Sequence, residues 1–233
     1  MSARALVVLL AAAAAALGAA PAGGDPPPGG PPPGSWLIAR VKPGATVELR
    51  TRPGGRLVAR VGRRTVFGSL RVFTVFKRRG PWIGVPVPER ANGRLAWVDG
   101  RRGLAYTRTR LSLHADLSRR RLELRRGDTV VHEVTVGSGR PPSTTPIGRF
   151  SVTDKMPGPR YGDYYGCCIL AISGHQPNLP PGWVGGDRLA IHGTSNPATL
   201  GQRASAGCLH ATRQSLLFLW KRVPLGTPVF IHP

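Results

Sequence analysis

Short apolar runs separated by turn-forming residues follow one another from residue 36 to about residue 100. The runs lie at 36–38, 47–49, 57–59, 72–76, 82–85 and 95–98. Turn signals such as Pro43-Gly44 and Asn92-Gly93 lie between them. Short runs at this spacing are typical of a small all-β barrel or sandwich. We therefore predict a β domain over residues 36–105.

From residue 108 onward, leucine alternates with serine, glutamate or arginine, which is typical of half-buried antiparallel strands. Strands are expected at 110–113, 121–124, 129–136, 150–152, 189–191 and 229–231. Residues 156–187 are rich in glycine, proline and aromatic residues, and we expect them to form long loops. One helix is expected at 211–222, with Leu216, Leu217 and Trp220 on its apolar stripe. The fold class predicted for the whole chain is mainly β.

The N-terminal segment has the pattern of an export signal. Arg4 precedes an apolar stretch at 5–17, and small residues follow up to a cleavage site near residue 22. Residues 23–35 are a Pro/Gly linker, too poor in apolar side chains to fold. We expect residues 1–22 to be a signal peptide and the protein to act outside the cytoplasmic membrane, associated with the cell wall. An uncleaved membrane anchor is the alternative.

The chain is strongly basic, with a formal net charge of +22 from 33 Lys+Arg and 11 Asp+Glu. Such an excess favours polyanionic partners, among them nucleic acid, anionic lipid and the anionic polymers of a cell wall. It also has a simpler explanation, a compositional preference for arginine throughout the chain. Because no nucleic-acid-binding motif accompanies the charge, we expect no nucleic-acid function.

Two residues near the C-terminus suggest nucleophilic chemistry. Cys208 lies in a turn of small residues, Ser205-Ala206-Gly207-Cys208, and His192 precedes it at the end of a predicted strand. A histidine is the usual base for a cysteine nucleophile. Glycine at 207 would let the backbone N–H groups of Gly207 and Cys208 face a substrate carbonyl oxygen as an oxyanion hole.

The cysteine count leaves Cys208 as the natural free thiol. The chain has three cysteines, and the other two, Cys167 and Cys168, are adjacent. Adjacent cysteines rarely bond to each other. Either all three are reduced in the active protein, or Cys167 and Cys168 form a strained bond with each other.

The motifs of the second half resemble those of the L,D-transpeptidase (YkuD-type) catalytic domain. The resemblance is carried by Ile-His-Gly-Thr at 191–194, Ser-x-Gly-Cys at 205–208, Gly-Thr-Pro-Val at 226–229 and Thr-Pro-x-Gly-x-Phe at 145–150, and it covers residues 108–233. It implies a β-sandwich with one C-terminal helix. The first domain, with Leu-Arg-x-x-Pro-Gly at 49–54 and Gly-Arg-x-x-Trp-Val at 93–98, resembles bacterial SH3-like domains.

The resemblance implies a set of roles. Cys208 would be the nucleophile, His192 its base in a thiolate–imidazolium pair, and the Gly193 carbonyl the group that orients the imidazole. No Asp or Glu lies between 188 and 233, which agrees with a backbone carbonyl in that role. Residues 156–187 would form a flap over the groove, with Tyr165 and His175 as candidate substrate contacts.

Two positions depart from the usual family pattern, which has histidine where this chain has Ala206 and Arg or Asn where it has His210. His210 is a candidate substrate contact, but neutral histidine donates fewer hydrogen bonds than arginine, so anchoring of the donor stem is in question. His210 is also an alternative base.

The function implied is transfer of a peptidoglycan stem tetrapeptide, through a thioester, to an amine of a neighbouring stem, giving a 3→3 cross-link. Water as the acceptor would make the enzyme an L,D-carboxypeptidase. No cofactor or metal is expected, and β-lactams of the carbapenem class are expected to acylate the nucleophile. Two further alternatives are a zinc site built from the cysteines and histidines, and a wall-binding protein with no catalysis.

Overall fold

The computed structural model describes residues 34–233, so the predicted signal peptide at 1–22 lies outside the described residues, as does nearly all of the linker. The strands are β1 (Trp36–Val41), β2 (Val47–Arg50), β3 (Leu57–Val61), β4 (Val72–Thr74), β5 (Lys77–Arg79), β6 (Trp82–Pro86), β7 (Leu95–Asp99), β8 (Leu104–Thr109), β9 (Leu111–Asp116), β10 (Arg121–Arg126), β11 (Thr129–Thr135), β12 (Ser138–Gly139), β13 (Gly148–Pro157), β14 (Cys168–His175), β15 (Arg188–Gly193), β16 (Arg203–Ser205), β17 (Leu209–Ala211) and β18 (Pro228–His232). A single α-helix among these residues, α1, spans Arg213–Arg222. The mainly β prediction is confirmed.

The N-terminal unit consists of two sheets around one apolar core. Strands β4, β1 and β8 form a three-stranded sheet, and β3, β2, β7, β6 and β5 form a five-stranded sheet. Leu49, Phe73, Ile83 and Val85 are among the residues buried between them. Strand β8 pairs with β1 along its whole length, up to Thr109, and so continues past the predicted boundary at residue 105. The SH3-like classification of this unit stays a prediction.

The C-terminal unit is built on an eight-stranded sheet in the order β11-β10-β9-β18-β13-β14-β15-β17. Its neighbours are antiparallel except at β9/β18 and β15/β17, which are parallel. The apolar face of the sheet and α1 share a core that includes Leu113, Phe150, Leu170 and Ile191. The sheet therefore delivers β15 and β17 side by side near its edge, which is where the candidate nucleophile and base come from.

The helix begins close to its predicted position, with Thr212 as its N-cap accepting the Ser215 N–H at 3.1 Å. The stripe that it buries is centred on Leu216 and Leu219, whereas Leu217 and Trp220 are only partly buried. The predicted apolar stripe was thus rotated about the helix axis relative to the face that is buried.

Within residues 34–233, no helix is sufficiently long and apolar to span a bilayer.

The prediction of long loops across 156–187 was wrong in its centre, where β14 runs from Cys168 to His175. This strand lies between β13 and β15, and seven of its eight residues are buried. A strand covered on both faces has no polar alternation, so the period-two pattern that identifies exposed strands is absent. Loops do flank it on both sides.

The two units pack against each other as one compact body. Thr74 of β4 donates a hydrogen bond to the Gly226 carbonyl at 2.6 Å, and its hydroxyl lies 2.7 Å from that of Ser151. Asn92 donates to the carbonyl of His175 at 2.7 Å and accepts the N–H of His175 at 2.9 Å. These bonds are buried or half-buried, so the N-terminal unit is fixed against the eight-stranded sheet by hydrogen bonds as well as by packing.

Candidate active site

Cys208 lies in a tight turn between β16 and β17 that is closed by the Ser205 side chain. The Ser205 hydroxyl donates to the Cys208 carbonyl at 2.6 Å and accepts the Gly207 N–H at 3.1 Å. Gly207 has φ +121, in the region where residues with a Cβ are strained. The Gly207 N–H is therefore already bonded inside the turn, and its predicted contact with a substrate oxygen stays a prediction.

His192 lies in β15, directly beside β17, where its register partner is His210. Its Nδ1 donates to the Gly193 carbonyl at 2.5 Å. Because a carbonyl oxygen only accepts, Nδ1 carries the proton and Nε2 keeps a free lone pair. Nε2 is buried and has no hydrogen-bond partner among residues 34–233. The imidazole is thus fixed in the tautomer that can accept a proton at Nε2.

The backbone of Gly193 packs closely against residues 166 and 167, just before β14. A Cβ on Gly193 would lie 2.9 Å from the backbone nitrogen of Cys167, and one on Gly166 would lie 2.8 Å from the Gly193 backbone. Only glycines allow this close approach.

The structure joins Cys167 to Cys168 by a disulfide, which is the second of the two alternatives left open by the sequence. Among the described residues, Cys208 is the free cysteine.

The thiol and the imidazole are both neutral in the unliganded site. Burial raises the pKa of the Cys208 thiol to about 11. Burial lowers the pKa of His192 to about 4, although its bond to Gly193 acts in the opposite direction. The Cys208 S–H points to the carbonyl of Arg188, 3.9 Å away. A thiolate–imidazolium pair would therefore form only when the thiol proton passes to His192, and that predicted pair stays a prediction.

Two tyrosines connect the histidine with the cysteine. The Tyr164 and Tyr165 rings lie 5.3 and 5.0 Å from the His192 ring, centroid to centroid. Both also line the cavity that contains Cys208. Burial, reinforced by the neighbouring Cys208, raises the pKa of Tyr164 to about 12, so its hydroxyl stays protonated.

The cavity over Cys208 is narrow, with about 20 Å³ of free volume, and Tyr164, Gln176, Trp183 and Ala206 are among its walls. That volume accommodates about one water molecule. Tyr164 and Trp183 are in edge-to-face contact at 6.4 Å. Cys208 is partly exposed, but the space over its sulfur is too small for a peptide in this state of the site.

The other two predicted substrate contacts are not brought to this cavity. His210 is buried, and its Nε2 is 2.8 Å from the Thr199 hydroxyl. His175 is at the junction with the N-terminal unit, where its Nε2 lies 2.7 Å from the Pro88 carbonyl and its Nδ1 2.9 Å from Asp187. Their predicted contacts with substrate stay predictions, and neither ring lines the space over Cys208.

Gln176 is a site residue that the sequence did not identify. It is buried at the end of β14, and its amide nitrogen donates to the carbonyls of Ser143 and Thr144 at 3.2 and 3.0 Å. A Cβ on Gly207 would lie 2.1 Å from that nitrogen. Gln176 therefore braces the cysteine turn against the 141–145 loop, a contact between distant segments with no local sequence signal.

The zinc alternative has no support in the described part of the chain. In residues 34–233, no group of three His, Cys, Asp or Glu side chains is placed so that it could hold a metal ion.

Comparison with known proteins agrees with the motifs. The sequence model of the YkuD family, the L,D-transpeptidase catalytic domain, matches residues 111–231, which is more than half of the chain. YkuD of Bacillus licheniformis is 31% identical over 117 residues, covering 50% of this chain and 62% of that protein. YqjB of Bacillus subtilis is 32% identical over 106 residues, covering 42% and 57%. Both are named as L,D-transpeptidases, and the chain spans about three fifths of their length.

Solved structures were also matched. An L,D-transpeptidase from Mycobacterium smegmatis is 14% identical, with a TM-score of 0.43 over 84% of this chain and 82% of the other. L,D-transpeptidase 3 from Mycobacterium tuberculosis, solved with a faropenem-derived adduct, is 18% identical, with a TM-score of 0.41 over 60% and 73%. On the strength of the match over 111–231, the chain belongs to the YkuD family of L,D-transpeptidase catalytic domains.

Proposed function

We propose that the protein is a cysteine-dependent L,D-transpeptidase, in which Cys208 attacks a peptide carbonyl of a peptidoglycan stem and His192 is the base. The observation that carries the proposal is the His192 tautomer. Its Nδ1–H is bonded to Gly193, and its Nε2 is buried, unpartnered and therefore free to accept the thiol proton.

The neutral starting state defines the first step. As the sulfur–carbon bond forms, the S–H proton passes to His192 Nε2, so that no isolated thiolate has to exist in the buried site. The negative charge moves to the substrate oxygen, where the Cys208 N–H is the backbone donor that we assign to it. Collapse breaks the carbon–nitrogen bond, and His192 returns the proton to the leaving amine of the terminal D-residue.

The thioester is then consumed by an amine of a second stem. His192 takes a proton from the attacking amine, the amide bond forms as the carbon–sulfur bond breaks, and His192 returns the proton to the Cys208 sulfur. The narrow, aromatic-walled cavity favours an amine over bulk water as the acceptor, since it admits little solvent. Binding of the donor stem requires more room than this, and we expect Tyr164 and Trp183 to move apart as it binds.

We further propose that the protein works outside the cytoplasmic membrane, at the cell wall. Two features support this: the export-signal pattern of residues 1–22, and the Cys167–Cys168 disulfide, since disulfides persist in oxidising compartments. The partners would be stem peptides, with carbapenems as inhibitors and no cofactor.

Intact-mass analysis after incubation with a carbapenem tests the nucleophile. Wild type should gain one adduct and Cys208→Ala none, while His192→Gln should be acylated at least about a hundredfold more slowly. His114→Gln, a half-buried histidine on β9, serves as the matched control and should react like wild type. An adduct on Cys208→Ala, or none on folded wild type, would refute the proposal.

The acceptor is tested separately with a disaccharide-tetrapeptide as both donor and acceptor. A cross-linked dimer as the main product supports transfer. Release of the terminal D-residue with tripeptide alone would make the enzyme a carboxypeptidase.

A further inference from the structure

A second and larger cavity lies at the junction of the two units. Its free volume is about 400 Å³, within the range of small-ligand sites. Strands β5 to β7 and the 90–94 turn of the N-terminal unit form one side, and Arg149 and Phe150 of β13 are part of the other. It shares no lining residue with the cavity over Cys208.

The lining of this junction cavity is cationic. Lys77, Arg90, Arg94 and Arg149 line it, and no aspartate or glutamate does. Elsewhere in residues 34–233 the chain does pair its cations, as in Arg71 with Glu89 at 2.9 Å, but none of these four is in an ion pair. Four cationic side chains that line one cavity without a counter-charge repel one another, so an anion in the cavity would be bound favourably.

One of these cations also has an unsatisfied donor. The Arg90 Nε is buried and has no hydrogen-bond partner in the described residues. A buried donor normally finds an acceptor, so this N–H is available to an acidic group bound in the cavity. Arginine presents several donors in a plane that matches the oxygens of phosphate or carboxylate.

The cavity is also preformed. Its floor includes the buried Phe150, and Asn92 fixes the turn beside it through two hydrogen bonds to the His175 backbone, at 2.7 and 2.9 Å. Guanidinium groups cover two of its aromatic rings, since Arg149 lies 5.6 Å over Phe76 and Arg79 lies 5.4 Å over Trp97. The site therefore presents charge rather than bare aromatic faces, which distinguishes it from a site for neutral sugars.

We propose that the junction cavity binds the acidic groups, phosphate or carboxylate, of a polyanionic polymer. Binding there would retain the polymer on a surface fixed relative to Cys208 while leaving the catalytic cavity free. The site does not depend on the catalytic proposal, because none of its residues belongs to the catalytic cavity.

Calorimetric titration of the protein with three probes tests this site: sodium tripolyphosphate, tetragalacturonate as a carboxylate polymer, and neutral chitotetraose. The test variant is the double substitution Arg94→Gln with Arg149→Gln, both exposed side chains on the cavity rim. The matched control is Arg119→Gln with Arg213→Gln, two exposed arginines outside the cavity, which lowers the net charge equally.

Wild type should bind one equivalent of an anionic probe, the rim variant should bind it about tenfold or more weakly, and the control should change less than about twofold. Preference for tripolyphosphate or for tetragalacturonate assigns the ligand as phosphate or carboxylate. Equal losses in both variants, no binding of either anion, or equally tight chitotetraose binding would overturn the proposal. The carbapenem adduct of the rim variant should form at the wild-type rate, which shows independently that it is folded and active.

Discussion

The neutral resting state of Cys208 makes a prediction that differs from that of a preformed ion pair. A thiol with a pKa of about 11 should be labelled slowly by iodoacetamide at pH 7, and the labelling rate should keep rising well above pH 9. Iodoacetamide reacts with the thiolate, so its rate follows the fraction of Cys208 that is already ionised. Acylation, by contrast, transfers the thiol proton to His192 while the sulfur–carbon bond forms.

The magnitude follows from the pKa. At pH 7 about one molecule in 10⁴ carries the Cys208 thiolate, which is about 300-fold less than for a free cysteine with a pKa near 8.5. A thiolate of higher pKa is intrinsically more nucleophilic, by about tenfold over this interval. The net expectation is labelling about 30-fold slower than that of free cysteine, with no allowance for the narrow cavity, which would slow it further.

The assay is intact-mass measurement of carbamidomethylation from pH 5 to 11 under non-reducing conditions, so that the Cys167–Cys168 disulfide stays closed. N-acetylcysteine gives the reference rate, and Cys208→Ala reports any label elsewhere. Labelling that reaches a plateau below pH 8, or exceeds the reference at pH 7, would show that the thiolate is already populated and would refute the neutral-pair reasoning. Carbapenem acylation of the same protein should by contrast be appreciable at pH 7, because His192 is unprotonated above its pKa of about 4.

Three more predictions concern stability. Gly207→Ala places a Cβ against Gln176 at a strained φ of +121 and should lower the free energy of unfolding by about 2 kcal/mol or more. The control Gly182→Ala, at a positive φ but with nothing within 4 Å of its Cβ, should lower it by only about 1 kcal/mol. Urea unfolding compares the two variants, and equal losses of stability would contradict the clash with Gln176. Phe67→Ala removes a partly buried ring from the cluster that includes Cys208, so it should lower the free energy of unfolding by about 1–3 kcal/mol and slow carbapenem acylation. If the stability and the acylation rate are both unchanged, the N-terminal unit does not support the site. The pKa of His192 is lowered to about 4 in the folded protein, so between pH 6.5 and 4 the unfolded chain binds a proton at this residue that the folded chain does not. About 3 kcal/mol of stability should therefore be lost as the pH falls through this window. Urea unfolding of His192→Asn over the same pH range should lack this share of the loss.

The parts of the fold that the sequence predicted well are those whose burial is one-sided. Strand β10 buries alternate residues, Leu122 and Leu124, so its leucines alternate with polar residues and the pattern identifies it. Strand β14 is covered on both faces, and its continuous apolar run resembles a buried segment of any type. The glycines and aromatic residues beside it then suggested loops.

The same distinction holds for the site. Cys208, His192 and Gly193 lie in two short motifs, so local residue types were enough to name them as candidates. Gln176 and the role of Ser205 depend on how distant strands and loops meet, which the motifs do not encode. His175, within the predicted flap, is held at the junction of the two units by contacts with Pro88 and Asn92 that its local sequence does not indicate.

The junction also changes how the N-terminal unit should be understood. The carbonyl of Arg188 accepts the Cys208 S–H, and the Arg188 guanidinium is in turn held by the Thr153 hydroxyl at 2.7 Å and lies 3.7 Å from Asp154. Asp154 accepts a hydrogen bond from Thr65 of the N-terminal unit, on the same loop as Phe67. Because the Asp154 side chain is 1% exposed, removing the N-terminal unit would expose a carboxylate that now stabilises the start of β15. The first unit therefore supports the candidate active site structurally, and a C-terminal unit cut at residue 110 should lose the support of the strand that carries His192.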